Sequence, residues 1–354
     1  MRNAIILAAG KGTRMRSSQS KVMHSIIDRP MLAYIIDALR AVQVKRIVVV
    51  VGYQAQTIEA AFNDVEFALQ EPQLGTGHAV MQCQQLANET GDTIIINGDG
   101  PCIQPETLEK LFQANETASA TLCTAVLEDA GAYGRIVRDR SNHVIGIVEA
   151  KDCDSEQLKI KEINAGIYCF KNQDLFASLD QLKPNNAQHE YYLTDLISIL
   201  SHQGKTVNGL VIENREEVMG INDCKELYRA YTWMTNHINS YWLAQGVQII
   251  DPKRTMIGKD VKIGHDVIIY PDVEITGQTT IGNHVLIRSH SRIVDTTIQD
   301  GVTVDTSIIT SSQIDQNAKI GPMTTITNCQ VDQDCRLHSF GRFENEHITK
   351  GQEK

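Results

Sequence analysis

An α/β domain with a mainly parallel sheet, then a helical arm, then a short left-handed parallel β-helix is the architecture this sequence predicts. Three observations carry it. Apolar, β-rich runs alternate with helical patterns across residues 1–223, the signature of strands joined by crossover helices. A single amphipathic stretch fills residues 224–246. From Ile257 an aliphatic residue recurs every six positions, the period of a parallel β-helix whose inward residues stack from coil to coil.

In the first segment, strands are expected at Asn3–Ala8, Arg46–Val51, Val65–Leu69 and Asp92–Asn97, and helices at Gln54–Phe62 and Thr76–Gln85. Ligands of such sheets bind at the carboxyl ends of the strands. The turns at Gly10 and Asp99 both fall there.

In the arm, Asp223 and Glu226 form a capping-box pattern. Leu227, Tyr231, Met234, Ile238 and Tyr241 make one apolar stripe, and Gly246 supplies the stop.

The hexad series runs through Ile257, Ile263, Ile269, Ile275, Ile281, Ile287 and Ile293. After a one-residue slip it resumes at Ile298 and Val304, then Ile308, Ile314, Ile320 and Ile326, then Val331 and Leu337. It fades after Leu337, so a β-helix over 250–340 of roughly four to five coils, with a tail over 341–354, is expected. An open solenoid of that size calls for a partner, and oligomerisation is expected.

Composition narrows the function. A net charge of −10 argues against nucleic-acid or anionic-membrane binding. No apolar run approaches the roughly 18 residues of a membrane span, and nothing before Asn3 reads as a leader. The eight cysteines are scattered with no C-x-x-C pair, which fits reduced thiols in the cytoplasm.

The densest chemistry lies in Leu7-Ala8-Ala9-Gly10-Lys11-Gly12-Thr13-Arg14-Met15 running on to Lys21. Gly10 and Gly12 allow close backbone approach, successive amides form an anion-binding concavity, and Lys11, Arg14 and Lys21 add cations for phosphate oxygens. The segment lacks the G-x-x-x-x-G-K-[ST] pattern, and Met15 stands where a dinucleotide fingerprint needs its third glycine.

Gln70, Gln73, Leu74, Gly75, Thr76, Gly77 and His78 form a second polar turn. Its amides offer the donors and acceptors that a pyrimidine edge requires, and Thr76 also reads as a helix cap. Asp99 ends an apolar strand as a Mg²⁺ ligand would, or simply as part of an Asp-Gly turn. Asn222 stands beside the capping residue as a second ligand, or as the cap itself. Tyr133-Gly134-Arg135, Glu149 and Asn164 read by pattern alone as solvent-facing strand residues.

Together these blocks resemble the sugar-1-phosphate nucleotidylyltransferases. More narrowly they are similar to the bifunctional bacterial N-acetylglucosamine-1-phosphate uridylyltransferase/glucosamine-1-phosphate acetyltransferase family. The resemblance also rests on Val148-Glu149-x-Lys151-Asp152, Glu162-Ile163-Asn164, Glu190-Tyr191-Tyr192-Leu193-Thr194-Asp195 and Gly220-Ile221-Asn222. It implies a Rossmann-like nucleotidyltransferase domain and a β-helix that forms a homotrimer.

It also implies site residues. Leu7, Ala8, Ala9, Gly10, Gly12, Gln70, Gln73, Gly75 and Thr76 would bind the nucleotide. Gly134, Glu149 and Asn164 would bind the sugar, Asp99 and Asn222 the Mg²⁺, and Arg14 and Lys21 would act as catalytic cations on the phosphates. The implied reaction is attack of N-acetylglucosamine-1-phosphate on the α-phosphorus of UTP, expelling pyrophosphate. Another sugar-1-phosphate, or a non-catalytic sugar-nucleotide-binding paralogue, is the alternative.

Three positions depart from the family pattern. Ser20 stands where proline is usual, Gly100 replaces a bulkier residue, and Ala165 replaces threonine. Gly321-Pro322 runs into Met323-Thr324-Thr325 rather than an Arg-Pro-Gly segment. No acetyltransferase activity is therefore expected.

Overall fold

The computed structural model describes residues 1–351. They form two compact units, Met1–Ser25 with Arg29–Ala230, and Ile26–Asp28 with Tyr231 onward.

The first unit is built on β1 (Arg2–Leu7), β4 (Arg46–Val51), β5 (Glu66–Leu69), β6 (Asp92–Asn97), β7 (Ala120–Val126), β10 (Glu162–Lys171) and β11 (Val207–Val211). A short hairpin of β2 (Ser25–Ile26) and β3 (Arg29–Pro30) precedes β4. A second, β8 (Arg135–Arg138) with β9 (Val144–Val148), joins the sheet through β10.

The strand order is β11-β7-β10-β6-β1-β4-β5. Along this path β10 alone runs against its neighbours. The expected mainly parallel sheet is thus present, with one reversed strand in the middle.

Continuous apolar runs form these strands because both faces are covered. Ala4 and Ile6 of β1 join Val49, Val51, Ile94 and Ile96 under helices α1 (Met31–Ala41) and α4 (Pro105–Ala114). Ile5 points the other way, with Val48, Val50 and Ile95, under α3 (Thr76–Met81), α5 (Asn172–Ser178) and α6 (Asp195–His202). Helix α2 (Ala55–Ala61) is shorter than its apolar pattern suggests. The helix expected over Thr76–Gln85 ends at Met81, where Cys83 bonds three residues back to Val80 and a 3₁₀ turn follows.

Helix α7 (Cys224–Ala244) leads into the second unit. Asp223 caps it, its Oδ1 accepting the Lys225 and Glu226 amides at 2.9 and 2.8 Å. Gly246, at φ 90°, ends it. Asn239, fully buried on α7, donates to the Pro252 and Thr255 carbonyls at 2.8 Å each and ties the helix to the first coil.

Three parallel sheets of six strands each make the β-helix. Six strands per face mean more coils than the sequence suggested, for two reasons. Val247 and Ile249 already belong to the stacked core, and so do Phe343 and Ile348 beyond residue 340. Strands Arg342–Glu344 and His347–Ile348 extend the solenoid into the expected tail, whose residues 352–354 lie outside the described part.

The register also needs one correction. Ile309 is fully buried, whereas Ile308 is 45% exposed. The inward residues Val304, Ile309 and Ile314 are spaced by five here, so counting six back from Ile314 lands one residue early, on Ile308.

Candidate active site

Four loops leave the carboxyl ends of neighbouring parallel strands and meet. The cradle follows β1, a second loop follows β4, the Gln70–Gly75 turn follows β5, and Gly98-Asp99 follows β6. Backbone bonds lace their bases together: Ala8 N to Val50 O, Gln70 N to Val51 O and Gly98 N to Leu7 O, at 2.8–2.9 Å.

Within the cradle, Gly12 adopts φ 58° and introduces the turn Thr13–Met15. A Cβ there would lie 2.7 Å from Lys21 Cβ, so the glycine lets the two ends of the loop close. Lys11 lies over the Tyr53 ring, 5.7 Å from its centroid. Leu7, Ala8 and Ala9 carry the chain into this turn, and around Gly10 there is open space.

Four of the expected residues converge. Lys21 Nζ lies 2.5 Å from Asp99 Oδ2 and 3.2 Å from Asn222 Oδ1. Arg14 Nη2 donates to the same Asn222 oxygen at 2.8 Å. Asn222 is aimed by its surroundings: its backbone N–H donates to Glu226 Oε2 at 2.6 Å and its Nδ2 to Gly220 O at 3.3 Å. Ile221 N donates to Asp99 O at 2.9 Å, joining the two segments. Asp223 holds the cap, so Asn222 is not it.

The convergence tests the metal reading. Two hard oxygen donors, one charged and one neutral, point at a single cationic centre, and the Lys21 ammonium stands there. Such a pair suits a divalent cation that takes its remaining ligands from water and phosphate.

The Gln70–Gly75 turn spends its glutamine amides on backbone, its own and the cradle's. Gln70 Nε2 donates to Gly75 O at 2.8 Å, and Gln73 Nε2 to Ala9 O at 2.6 Å. Gly75 sits at φ 108°, and a Cβ would meet Tyr191 O at 2.6 Å. Thr76 does not cap α3, because Gly75 occupies that position. Its Oγ1 instead accepts the Leu193 N–H at 3.0 Å and pins the Glu190–Asp195 segment against the turn.

Beside the cation cluster opens a cavity of about 240 Å³, lined by Asp99, Gly134, Glu149, Asn164, Thr194 and Asn222 among others. Asn164 N donates to Gly134 O at 2.9 Å. Its Nδ2 donates to Tyr168 Oη at 2.7 Å, and its Oδ1 accepts the Gly166 amide at 3.1 Å across an irregularity in β10. Glu149 accepts from Thr194 Oγ1 at 3.2 Å. Burial pushes its carboxyl above the ordinary value, opposed by that hydroxyl. Burial likewise raises the Tyr168 phenol and the Asp195 carboxyl.

The structure thus brings Arg14, Lys21, Asp99, Asn222, Gly134, Glu149 and Asn164 around one cavity mouth, while Gln70 and Gln73 line a second groove with Lys11 and Tyr53, and Gly75 follows them in the same turn. Glu149 and Asn164 face this cavity rather than solvent. Sequence reasoning missed the supports. Arg135 is buried and donates to the Tyr133 and Gly131 carbonyls, shaping the loop that carries Gly134. Thr194 holds Glu149. An arginine set directly before the apolar pair Ile136-Val137 was the available signal for the first.

Comparison with known proteins places this geometry. Residues 4–191 match the MobA-like NTP transferase domain, and residues 254–294 the six-repeat bacterial transferase hexapeptide. The bifunctional protein GlmU of Limosilactobacillus reuteri is 44% identical over 98% of this chain and 77% of its own length. That of Enterococcus faecalis is 41% identical over 99% and 78%, and that of Exiguobacterium sibiricum 44% over 90% and 72%. Among the described residues no helix is long and apolar enough to cross a membrane. A mixed-sheet nucleotidyltransferase unit with converging loop cations, followed by hexapeptide coils, and such identity over nearly the whole sequence, make this chain a member of the GlmU family of nucleotidyltransferases.

Proposed function

We propose that the chain transfers uridylyl from UTP to N-acetylglucosamine-1-phosphate, releasing UDP-N-acetylglucosamine and pyrophosphate, with Mg²⁺ as the cation. The observation that carries this is the meeting of Asp99, Asn222, Lys21 and Arg14 at the mouth of a sugar-sized cavity.

The cavity orients the sugar. Glu149 and the Asn164 amide are acceptors and donors for its hydroxyl and acetamido groups, and Gly134 leaves room because a Cβ there would crowd Glu149 Oε2 at 3.3 Å. The phosphate of the sugar is already anionic, so no general base is required. Its oxygen bonds to the α-phosphorus while the bond to the bridging oxygen breaks and pyrophosphate departs. Lys21 and Arg14 leave Asp99 and Asn222 for the phosphate oxygens and offset charge that grows in the transition state. A divalent ion held by Asp99 and Asn222, when bound, neutralises the same phosphates. Gln70 and Gln73 border the groove for the base, and the Ala8–Gly12 amides the groove for the phosphates.

The assay is pyrophosphate release from UTP with Mg²⁺ and N-acetylglucosamine-1-phosphate, beside glucose-1-phosphate and the other nucleoside triphosphates. Release confined to UTP and the N-acetylated sugar supports the proposal. A different preferred pair moves the substrate, and binding of UDP-sugars with no release from any pair leaves a regulatory paralogue.

Two further parts complete the reading. The β-helix serves as a trimerisation unit without acetyl transfer, since Met323-Thr324-Thr325 follows Gly321-Pro322. Light scattering tests the trimer, and acetyl-CoA-dependent acetylation of glucosamine-1-phosphate would refute the absence. The cytoplasm is the proposed compartment, in keeping with eight unpaired cysteines.

A further inference from the structure

Lys21 serves the phosphates only if its ammonium is delivered to the right place, and the chain leading to it is exposed from Arg16 to Gln19. Arg16 sits in left-handed backbone at φ 51°. Downstream, buried Val22 and Met23 anchor the short turn Lys21–Met23. Upstream, the loop is gripped by a side chain from the neighbouring strand's loop. Gln54 Nε2 donates to Ser18 O at 2.5 Å, and Gln54 Oε1 accepts the Ser20 amide at 2.7 Å.

Both contacts are demanding. Ser20 is fully buried, so its N–H would be orphaned away from water without Gln54. Gln54 itself adopts φ 57° and ψ 37°, a conformation that penalises any residue with a Cβ and suits glycine. A side chain kept at such a backbone position, with both halves of its amide spent on one three-residue segment, is a clamp.

We propose that Gln54 is a positioning residue for catalysis: by bracketing Ser18 and Ser20 it sets the entry of the chain into Lys21 and so places the ammonium. The proposal rests on the reading of Lys21 as the phosphate-directed cation. Gln54 touches no expected substrate atom and acts only through the loop.

The test uses the full chain, assayed for pyrophosphate release, with Lys21→Ala as the reference. Lys21→Ala is expected to lower kcat by about a hundredfold or more. Gln54→Ala should lower kcat by roughly tenfold, with the KM for the sugar phosphate and the melting temperature little changed.

The distinguishing experiment is a compensating pair. Ser20 has φ −55° and ψ 137°, the basin that proline imposes. Ser20→Pro alone removes the N–H and drives the ring into Gln54 Oε1, so kcat falls at least as far as in Gln54→Ala. Ser20→Pro with Gln54→Gly deletes donor and acceptor together, relaxes the left-handed backbone and stiffens the loop, so kcat returns to within about twofold of the parent.

Parental kcat in Gln54→Ala beside a crippled Lys21→Ala overturns the clamp and leaves the role of Lys21 standing. Parental kcat in Lys21→Ala overturns both. A double variant as slow as Gln54→Ala also overturns the clamp, because it shows that the glutamine acts otherwise than by holding this segment.

Discussion

In the β-helix unit every inward position has the same task, and in the sheet unit almost none of the functional positions do. Ile275, Ile293 and Ile309 each sit beneath a like residue one coil away and are fully buried. Asp99, Asn222 and Lys21 come from segments separated by up to 201 residues and meet at one point. Stability in the first case is spread over many equivalent contacts. Function in the second is concentrated in single side chains whose neighbours exist to aim them. Substitutions in the two units should therefore fail differently.

The largest effect is expected at Asp99. Asp99→Asn keeps the shape, removes the charge that pairs with Lys21, and weakens the oxygen pair proposed for Mg²⁺. Turnover should fall by roughly a thousandfold and not recover with added Mg²⁺, while the melting temperature stays near the parent's. Turnover within a few-fold of the parent would take Asp99 out of the mechanism.

Next comes Gly75→Ala, where an aperiodic unit pays through its backbone. The residue is at φ 108°, and the new Cβ would lie 2.6 Å from the Tyr191 carbonyl oxygen. The neighbour is main chain and cannot swing aside, so about 1–3 kcal/mol of strain is expected. The KM for UTP should rise with it. An unchanged UTP KM would separate this turn from the nucleotide.

The β-helix reverses the pattern. Ile293→Ala removes a fully buried side chain and should cost about 2–5 kcal/mol of stability, with kcat unchanged at 25 °C. Ile308→Ala, on a side chain 45% exposed, should cost no more than about 0.5 kcal/mol. Equal losses at the two sites would refute the register described here.

That pair also marks what the letters could and could not convey. Strict six-residue spacing made Ile257 to Ile293 legible, because one repeated contact fixes one repeated residue type. Where the coils shorten, the period breaks, and a six-residue spacing points to Ile308 instead of its buried neighbour Ile309. The ends were missed because Val247 and Phe343 stack in the core without continuing the isoleucine series.

In the sheet unit the position of the cradle and of Asp99 at strand ends was legible, since each follows directly on an apolar run. Their supports were not. Nothing local shows that Gln54 grips Ser18 and Ser20, that Thr194 holds Glu149, or that Thr76 bonds Leu193 across 117 positions. Those contacts are created by folding and have no spacing of their own.

A more modest effect than at Asp99 or Ile293 is expected at Glu149, where burial and binding oppose each other. Its carboxyl is raised above the ordinary 4.5 because burial disfavours the charged form. Below that ordinary value the group is protonated whether folded or unfolded, and no cost arises. As pH rises through the ordinary value toward the raised one, the unfolded chain ionises first and the fold loses stability. At neutral pH the buried charge is thus a net burden, one that the Thr194 hydroxyl only partly relieves.

Glu149→Gln removes it. The variant should melt a few degrees above the parent at pH 7, and the gain should vanish near pH 4. The same change replaces an acceptor-only group with an amide, so the KM for the sugar phosphate should rise by roughly five- to tenfold at little cost in kcat. A gain in stability with no change in KM would leave Glu149 a buried structural acid. A rise in KM with no gain at pH 7 would mean that Thr194 already offsets the burial, and that this corner of the cavity is held in place by its hydrogen bond rather than strained by its charge.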